Sequence, residues 1–264
     1  MSQINPPYTN FQSIEMKEWW PWYRRIANEF GYNQDQDQNA AETLSQLLKN
    51  KSLPFSDVLN SLNGRKVIVF GAGPSLETDL MRLVELDLLD RFPTLAADGA
   101  TSALLNVANT FPDIIVSDLD GPIQDLQASV GKGSKIVIHA HGDNVGLIKL
   151  SVRLFNRALG STQVEPRINV FNFGGFTDGD RAVFLATAMH AATIIVAGMD
   201  FGKTIGSYSK VKVGNPGMKL RKLQYGKLLL EWLAGLGKTE YCNVTRYGER
   251  IAGFRQIEPE QLQS

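Results

Sequence analysis

From Lys66 onward, short runs of apolar, mostly β-branched residues alternate with longer stretches in which apolar positions recur every three or four residues. The runs Val67–Phe70, Thr94–Ala97, Ile114–Ser117, Lys135–His139, Ile168–Phe173, Thr193–Gly198 and Tyr241–Val244 are predicted strands. Leu76–Leu89, Thr101–Asn109, Asn144–Ala158, Asp180–His190 and Lys219–Leu236 are predicted helices. The strands are almost wholly apolar instead of alternating, which means burial on both faces. Strand and helix in turn predict an α/β fold with a doubly wound, mostly parallel sheet.

Before Lys66 the pattern is helical. Ile14–Phe30, Ala40–Asn50 and a stretch entered at Pro54 and closing at Asn63-Gly64 are predicted helices, and the polar NQDQDQN segment, Asn33–Asn39, reads as a loop. Trp19, Trp20, Trp22 and Tyr23 crowd the first of them. Packing onto the main domain is the expected use of those rings, ahead of stacking on bases. The expected division is therefore a helical extension over residues 1–63 and an α/β domain over 64–264.

Composition narrows the partners. Among 264 residues, 27 Lys and Arg balance 27 Asp and Glu, so no global field favours nucleic acid or an anionic membrane. The single cysteine, Cys242, excludes an intrachain disulfide and fits a reducing compartment. No run approaches the roughly 18 apolar residues of a membrane span. The start, MSQINPPYTNFQ, lacks the basic and apolar regions of a secretory signal. A soluble, cytoplasmic protein is expected.

Chemistry gathers at the strand ends, where open α/β sheets bind ligands. In order these read Gly71-Ala72-Gly73-Pro74-Ser75, Asp98-Gly99-Ala100-Thr101, Ser117-Asp118-Leu119-Asp120-Gly121, His139-Ala140-His141-Gly142-Asp143-Asn144, Gly174 to Arg181 (GGFTDGDR) and Met199-Asp200-Phe201-Gly202-Lys203. One such end is an ordinary helix cap; six on one sheet edge describe a crevice that handles anions and binds cations.

The first turn is neither a dinucleotide fingerprint, since Leu76 stands where the third glycine belongs, nor a Walker A loop. A phosphate on its amides, with Ser75 capping the next helix, competes with a plain strand-to-helix turn. Asp118 and Asp120, two apart on an extended backbone, are expected to share a side, with Asp98 opposite. Three converging acids call for a metal ion, and hard oxygen ligands beside phosphates favour magnesium over zinc. His139 and His141 are expected to face opposite ways, with His141 toward the crevice. Arg181 opens a helix, where a cation is unfavourable unless an anion shares it. Lys203 begins a Gly-, Ser- and Lys-rich segment, Lys203–Met218, that reads as a lid or binding loop.

Taken together, GAGPSL, ADGAT, SDLDG, HAHGDN, GGFTDGDRAV and GMDFG, with the closing NVTRYGERIAGF, resemble the archaeal pyrophosphokinases of 6-hydroxymethyl-7,8-dihydropterin, over about Lys66 to Phe254. These are related to thiamine pyrophosphokinases, whose ADGG, GDxDS and TD elements come in the same order. The resemblance implies a Rossmann-like catalytic domain, ATP and magnesium (Mg2+) as cofactors, a pterin acceptor, AMP as a product and a homodimer. It implies that Asp118 and Asp120 hold the metal, that Asp98 is the acid of the ADGG element, and that Asp143 stands for the TD acid. His141 or Asp143 then takes the hydroxyl proton, while Arg181 and Lys203 steady the AMP leaving group. Gly71, Gly73, Pro74, Ser75 and Asn144 complete the expected cofactor contacts. Gly121, where thiamine kinases carry Ser, favours the pterin branch. The rival readings are a metal-dependent glycosyltransferase using a nucleotide sugar, a group whose flagellin-associated members share a GxGPSL element, a thiamine pyrophosphokinase, and a nucleotide-sensing module without turnover.

Overall fold

The computed structural model describes residues 14–209 and 215–263. Residues 1–13 of the expected extension and 210–214 of the expected lid segment lie outside the described residues.

Nine strands form one all-parallel sheet among the described residues. They are β1 (Lys66–Phe70), β2 (Thr94–Ala97), β3 (Ile114–Ser117), β4 (Lys135–Ala140), β5 (Leu159–Thr162), β6 (Val170–Phe171), β7 (Thr193–Ala197), β8 (Glu240–Asn243) and β9 (Arg255–Gln256). Their order is β6-β5-β4-β3-β2-β1-β7-β8-β9. The chain winds outward from β1 to β6, then returns to the other side of β1, so the winding reverses between β1 and β7. Register pairs Val69 with Leu95 on one side and Val196 on the other. The β1 residues alternate between two cores, Val67 and Val69 in one and Ile68 and Phe70 in the other. That alternation is the double burial expected of parallel strands.

The helices are α1 (Met16–Phe30), α2 (Gln34–Leu47), α3 (Phe55–Leu62), α4 (Leu76–Glu85), α5 (Asp98–Ala108), α6 (Ile123–Gly131), α7 (Val145–Ser151), α8 (Asp178–Ala188) and α9 (Pro216–Gly235). Leu76, Leu80 and Leu83 of α4 and Ala100, Ala103 and Leu104 of α5 fill the core on one face. On the other, α8 and α9 share a core with Trp19, Tyr23 and Ile26 of α1 and with Ala40, Ala41 and Leu44 of α2. The N-terminal aromatics thus pack inward, and Trp22 lies 5.5 Å from Trp232 between ring centroids.

Several elements differ from the sequence reading. The Asn33–Asn39 segment is no loop: Asn33 accepts hydrogen bonds from the N–H groups of Asp35 and Gln36 and caps α2. Strand β5 was invisible because Leu-Gly-Ser-Thr has little β propensity, yet all four residues are buried between β4 and β6. The predicted Ile168–Phe173 strand shrinks to two residues because Asn169 adopts a left-handed φ of 62°. The single predicted helix Asn144–Ala158 stops at Ser151 and continues as a 3₁₀ turn, Val152–Leu154.

Candidate active site

The acids meet where β2 and β3 end. Asp98 opens α5, where the positive end of the helix favours a carboxylate. Oxygens of Asp98, Asp118 and Asp120 all lie within 4.8 Å of one another. Pleating does not bring the last two together. Leu119, buried between them, has φ 69°, and its N–H donates to Ser117 Oγ at 2.8 Å. Asp120 N–H donates back to Asp118 Oδ1 at 3.3 Å. A bulky residue in the left-handed region is costly and concentrates at functional sites.

Asp98 is 4% exposed. Its Oδ2 accepts from Ser117 Oγ at 2.7 Å and from Gly121 N–H at 3.1 Å, whereas its buried Oδ1 has no hydrogen-bond partner. Burial pushes its carboxyl up to about 7, opposed by the Ser117 hydrogen bond and reinforced by the charges of Asp118 and Asp120. A Cβ on Gly121 would fall well inside contact with Asp98 Oδ1, so no side chain fits there while Asp98 holds its place.

A fourth carboxylate lies close enough to feel the charge of this group. Asp178, the first residue of α8, is raised well above the ordinary range by burial, then by the Asp118 charge and further by Asp98 and Asp120. Its buried Oδ1 also lacks a hydrogen bond. Sequence reasoning gave the TD role to Asp143; the structure instead leaves the Asp143 side chain 67% exposed and sets Thr177-Asp178 against the acids. The Thr-Asp pair in GGFTDGD was the available signal. The convergence of Asp98, Asp118 and Asp120, with Asp98 Oδ1 buried and without a hydrogen bond, fits a hard divalent cation, and these three are the residues that would hold it, with Asp178 beside them.

Beside them lies a cavity of about 300 Å³. Its walls include Gly71, Gly73, Pro74, Asp120, Asp178 and Tyr208. Among the described residues, Lys219 is the cation on this wall. Lys203, expected there, is exposed and lies off the cavity.

Three further expectations are corrected. The glycine turn does not offer a row of open amides: Gly71 N–H donates to Ala197 O, Gly73 N–H to Gly198 O and Ser75 N–H to Asp200 Oδ2. Ser75 does not cap α4 through its side chain, because its hydroxyl is bound to Asp200 Oδ1. Arg181 turns inward at 7% exposure, with Nη1 3.6 Å from Asp178 Oδ1. The anion sharing that helix start is a residue of the chain itself.

In the fourth strand-end loop the two histidines share a side. Residues two apart on a strand point the same way, and the rings of His139 and His141 stack at 6.0 Å and 30°. Nδ1 of His141 accepts from Asp143 N–H at 3.3 Å, and Nε2 stands 3.5 Å from Asp118 Oδ2. The ring thus lies between Asp118 and the Asp143 backbone, and its Nε2 side orients Asp118. Asn144 is fully used: Nδ2 donates to the carbonyls of Asp118 (2.8 Å) and His139 (2.7 Å), and Oδ1 accepts from His141 N–H (3.0 Å). It staples the loop to β3 and does not line the cavity.

Behind the glycine turn, Asp79 accepts from Gly198 N–H at 2.9 Å and Arg246 N–H at 3.2 Å. Burial, with a contribution from Asp200, pushes its carboxyl up to about 7. The unfolded chain loses this proton near pH 4, so the folded state binds it more tightly. Its stabilising effect is complete below about pH 4 and is lost as pH rises toward 7. Asp79→Asn is therefore expected to flatten the decline of melting temperature between about pH 4 and 7 relative to wild type. Parallel Tm curves for the two proteins would refute this.

Comparison with known proteins adds a family to this geometry. Residues 38–206 match the family model described as 6-hydroxymethylpterin diphosphokinase MptE-like. A 6-hydroxymethyl-7,8-dihydropterin pyrophosphokinase of Pyrococcus furiosus is 44% identical over 232 residues, covering 86% of this chain and 97% of its own length. The protein of that name from Methanocaldococcus jannaschii is 42% identical, over 83% of this chain and 96% of its own length. Among solved structures, the Maf glycosyltransferase of Magnetospirillum magneticum superposes with a TM-score of 0.58 at 14% identity, over 87% of this chain but 39% of that one. At that identity the likeness speaks for the fold alone.

Proposed function

Because the chain belongs to the MptE-like family of 6-hydroxymethylpterin diphosphokinases, we propose that it uses ATP and magnesium to transfer pyrophosphate to the hydroxymethyl group of 6-hydroxymethyl-7,8-dihydropterin. It is a diphosphotransferase of pterin cofactor biosynthesis. The nucleotide-sugar alternative is not favoured, since its structural relative shares only the fold.

In the reaction, the substrate hydroxyl oxygen bonds to the β-phosphorus of ATP. The bond from that phosphorus to the α–β bridging oxygen breaks, the hydroxyl proton is released, and AMP leaves. Such transfers depend mostly on positioning and charge compensation, so the site needs no strong base. The observation that carries this reading is the convergence of Asp98, Asp118 and Asp120 on one point beside the cavity. A polyphosphate repels a wall this rich in carboxylates unless cations accompany it. Magnesium bound there supplies neutralisation of the phosphate oxygens. Asp98 is held by Ser117 and Gly121, Asp118 by His141, and Asp178 by Arg181, so the carboxylates are set before substrate arrives. Lys219 on the cavity wall is the candidate to face the departing AMP. A homodimer working in the cytoplasm belongs to the same reading.

The test is incubation with ATP, Mg2+ and the pterin, followed by 31P NMR and nucleotide chromatography. AMP and a pterin diphosphate in equal amounts are expected. Release of ADP, or turnover only with a nucleotide sugar, would reject the assignment.

A further inference from the structure

Asp37 belongs to α2, yet its carboxylate serves segments more than a hundred residues further along the chain. It is 2% exposed. Its Oδ1 accepts from Gly142 N–H at 2.7 Å. Its Oδ2 accepts from Gln163 Nε2 and from Tyr23 OH, both at 2.8 Å. Each of the first two bonds begins an arm that reaches the acids. Gly142 follows His141, whose Nε2 faces Asp118 Oδ2. Gln163 presents Oε1 to Arg181 Nη2 at 3.2 Å, and Arg181 faces Asp178. The fit around the loop is close: a Cβ on Gly142 would stand 2.8 Å from Gln36 Cβ and 3.4 Å from Asp37 Oδ1.

We propose that Asp37 is a positioning residue for the transfer site, by which the N-terminal helices fix the placement of Asp118 and Asp178. The mechanism is directional. Both Asp37 oxygens accept hydrogen bonds, so the Gln163 amide turns its NH2 end toward them and its carbonyl end toward the Arg181 guanidinium. With that carbonyl in place, Arg181 stays aimed at Asp178. The second arm holds the His141 loop against Asp118. Asn at position 37 can keep the Gly142 bond through its carbonyl, but its NH2 then meets the Gln163 NH2. Turning Gln163 over relieves that clash and sets two donors against Arg181. Supporting partners of this kind typically change metal affinity by about 10–100-fold when removed.

The kinetic part of this inference rests on the transferase reading; the metal part does not. The experiment compares full-length wild type with Asp37→Asn, Gln163→Met, their double variant, and Ser45→Ala. Ser45 is a control from the same helix whose hydroxyl donates to Ile168 O, away from the site. Mn2+ binding is read by electron paramagnetic resonance without nucleotide, and AMP formation is read separately. For Asp37→Asn, Mn2+ affinity and kcat are each expected to fall about tenfold or more, with KM for the pterin within about twofold. Gln163→Met is expected to do the same for the arm it carries. The double variant should be little worse than Asp37→Asn alone, since both break one chain of contacts. Ser45→Ala should leave both readouts at wild-type level. Wild-type Mn2+ affinity in folded Asp37→Asn would overturn the proposal. So would a lowered melting temperature with unchanged kcat, equal losses in Ser45→Ala, or failure of both Asp37→Asn and Gln163→Met to fold. A wild-type protein that binds Mn2+ but forms no AMP would instead reject the transferase reading and leave the metal comparison standing.

Discussion

Asp118→Ala is expected to lower kcat for AMP formation by about three orders of magnitude, or roughly 4 kcal/mol of transition-state stabilisation. Asp118 is the acid that the other parts converge upon. It shares the oxygen cluster with Asp98 and Asp120, receives the Asp120 N–H, and faces His141. Fold retention is expected because Asn144 grips the Asp118 carbonyl and not its carboxylate. Without a divalent cation, removing one of several repelling carboxylates should even raise the melting temperature slightly, the pattern of a group kept for function at the expense of stability. AMP quantitation and thermal melts in EDTA read both effects. An active variant would refute the role given to this residue.

The second large effect is expected at Gly121, which has no chemistry of its own. Its backbone N–H holds Asp98 Oδ2, and a Cβ there would occupy the space of Asp98 Oδ1. Asp98 is walled in by Ser117 and the start of α5 and has nowhere to retreat. Gly121→Ala should therefore displace that carboxylate, reducing kcat by on the order of a hundredfold. The overpacking should also cost about 1–3 kcal/mol of stability. Wild-type Mn2+ affinity in this variant would show that Asp98 does not need its present position. The same crowding leaves no room for a serine at this point while Asp98 keeps its arrangement.

Much of this was legible because parallel strands and their ends leave strong marks. Ile114–Ser117 and Thr193–Ala197 are apolar from end to end, and the acids follow immediately. What was missed depends on partners distant in sequence. Asp178 and Asp143 look alike as strand-end acids, and only the packing of α8 across β2 and β3 brings Asp178 to the cluster. Asp37 sits in a glutamine- and aspartate-rich segment whose composition suggests solvent, and its burial arises from Gln163 and Gly142, more than a hundred residues away. Leu119 gives no local hint of a left-handed φ, since nothing in its residue type favours one. The histidines differ for another reason: a spacing of two is the repeat of one strand face, so His139 and His141 stack together instead of facing opposite ways.

A divalent ion is expected among these carboxylates at the mouth of the sheet. Anomalous diffraction from crystals grown with Mn2+ and a non-hydrolysable ATP analogue addresses it most directly. The expected result is an anomalous peak bound by at least two of Asp98, Asp118 and Asp120, with a phosphate oxygen of the nucleotide completing the coordination. A nucleotide bound with its manganese elsewhere, or with these carboxylates bearing no ion at saturating Mn2+, would contradict it.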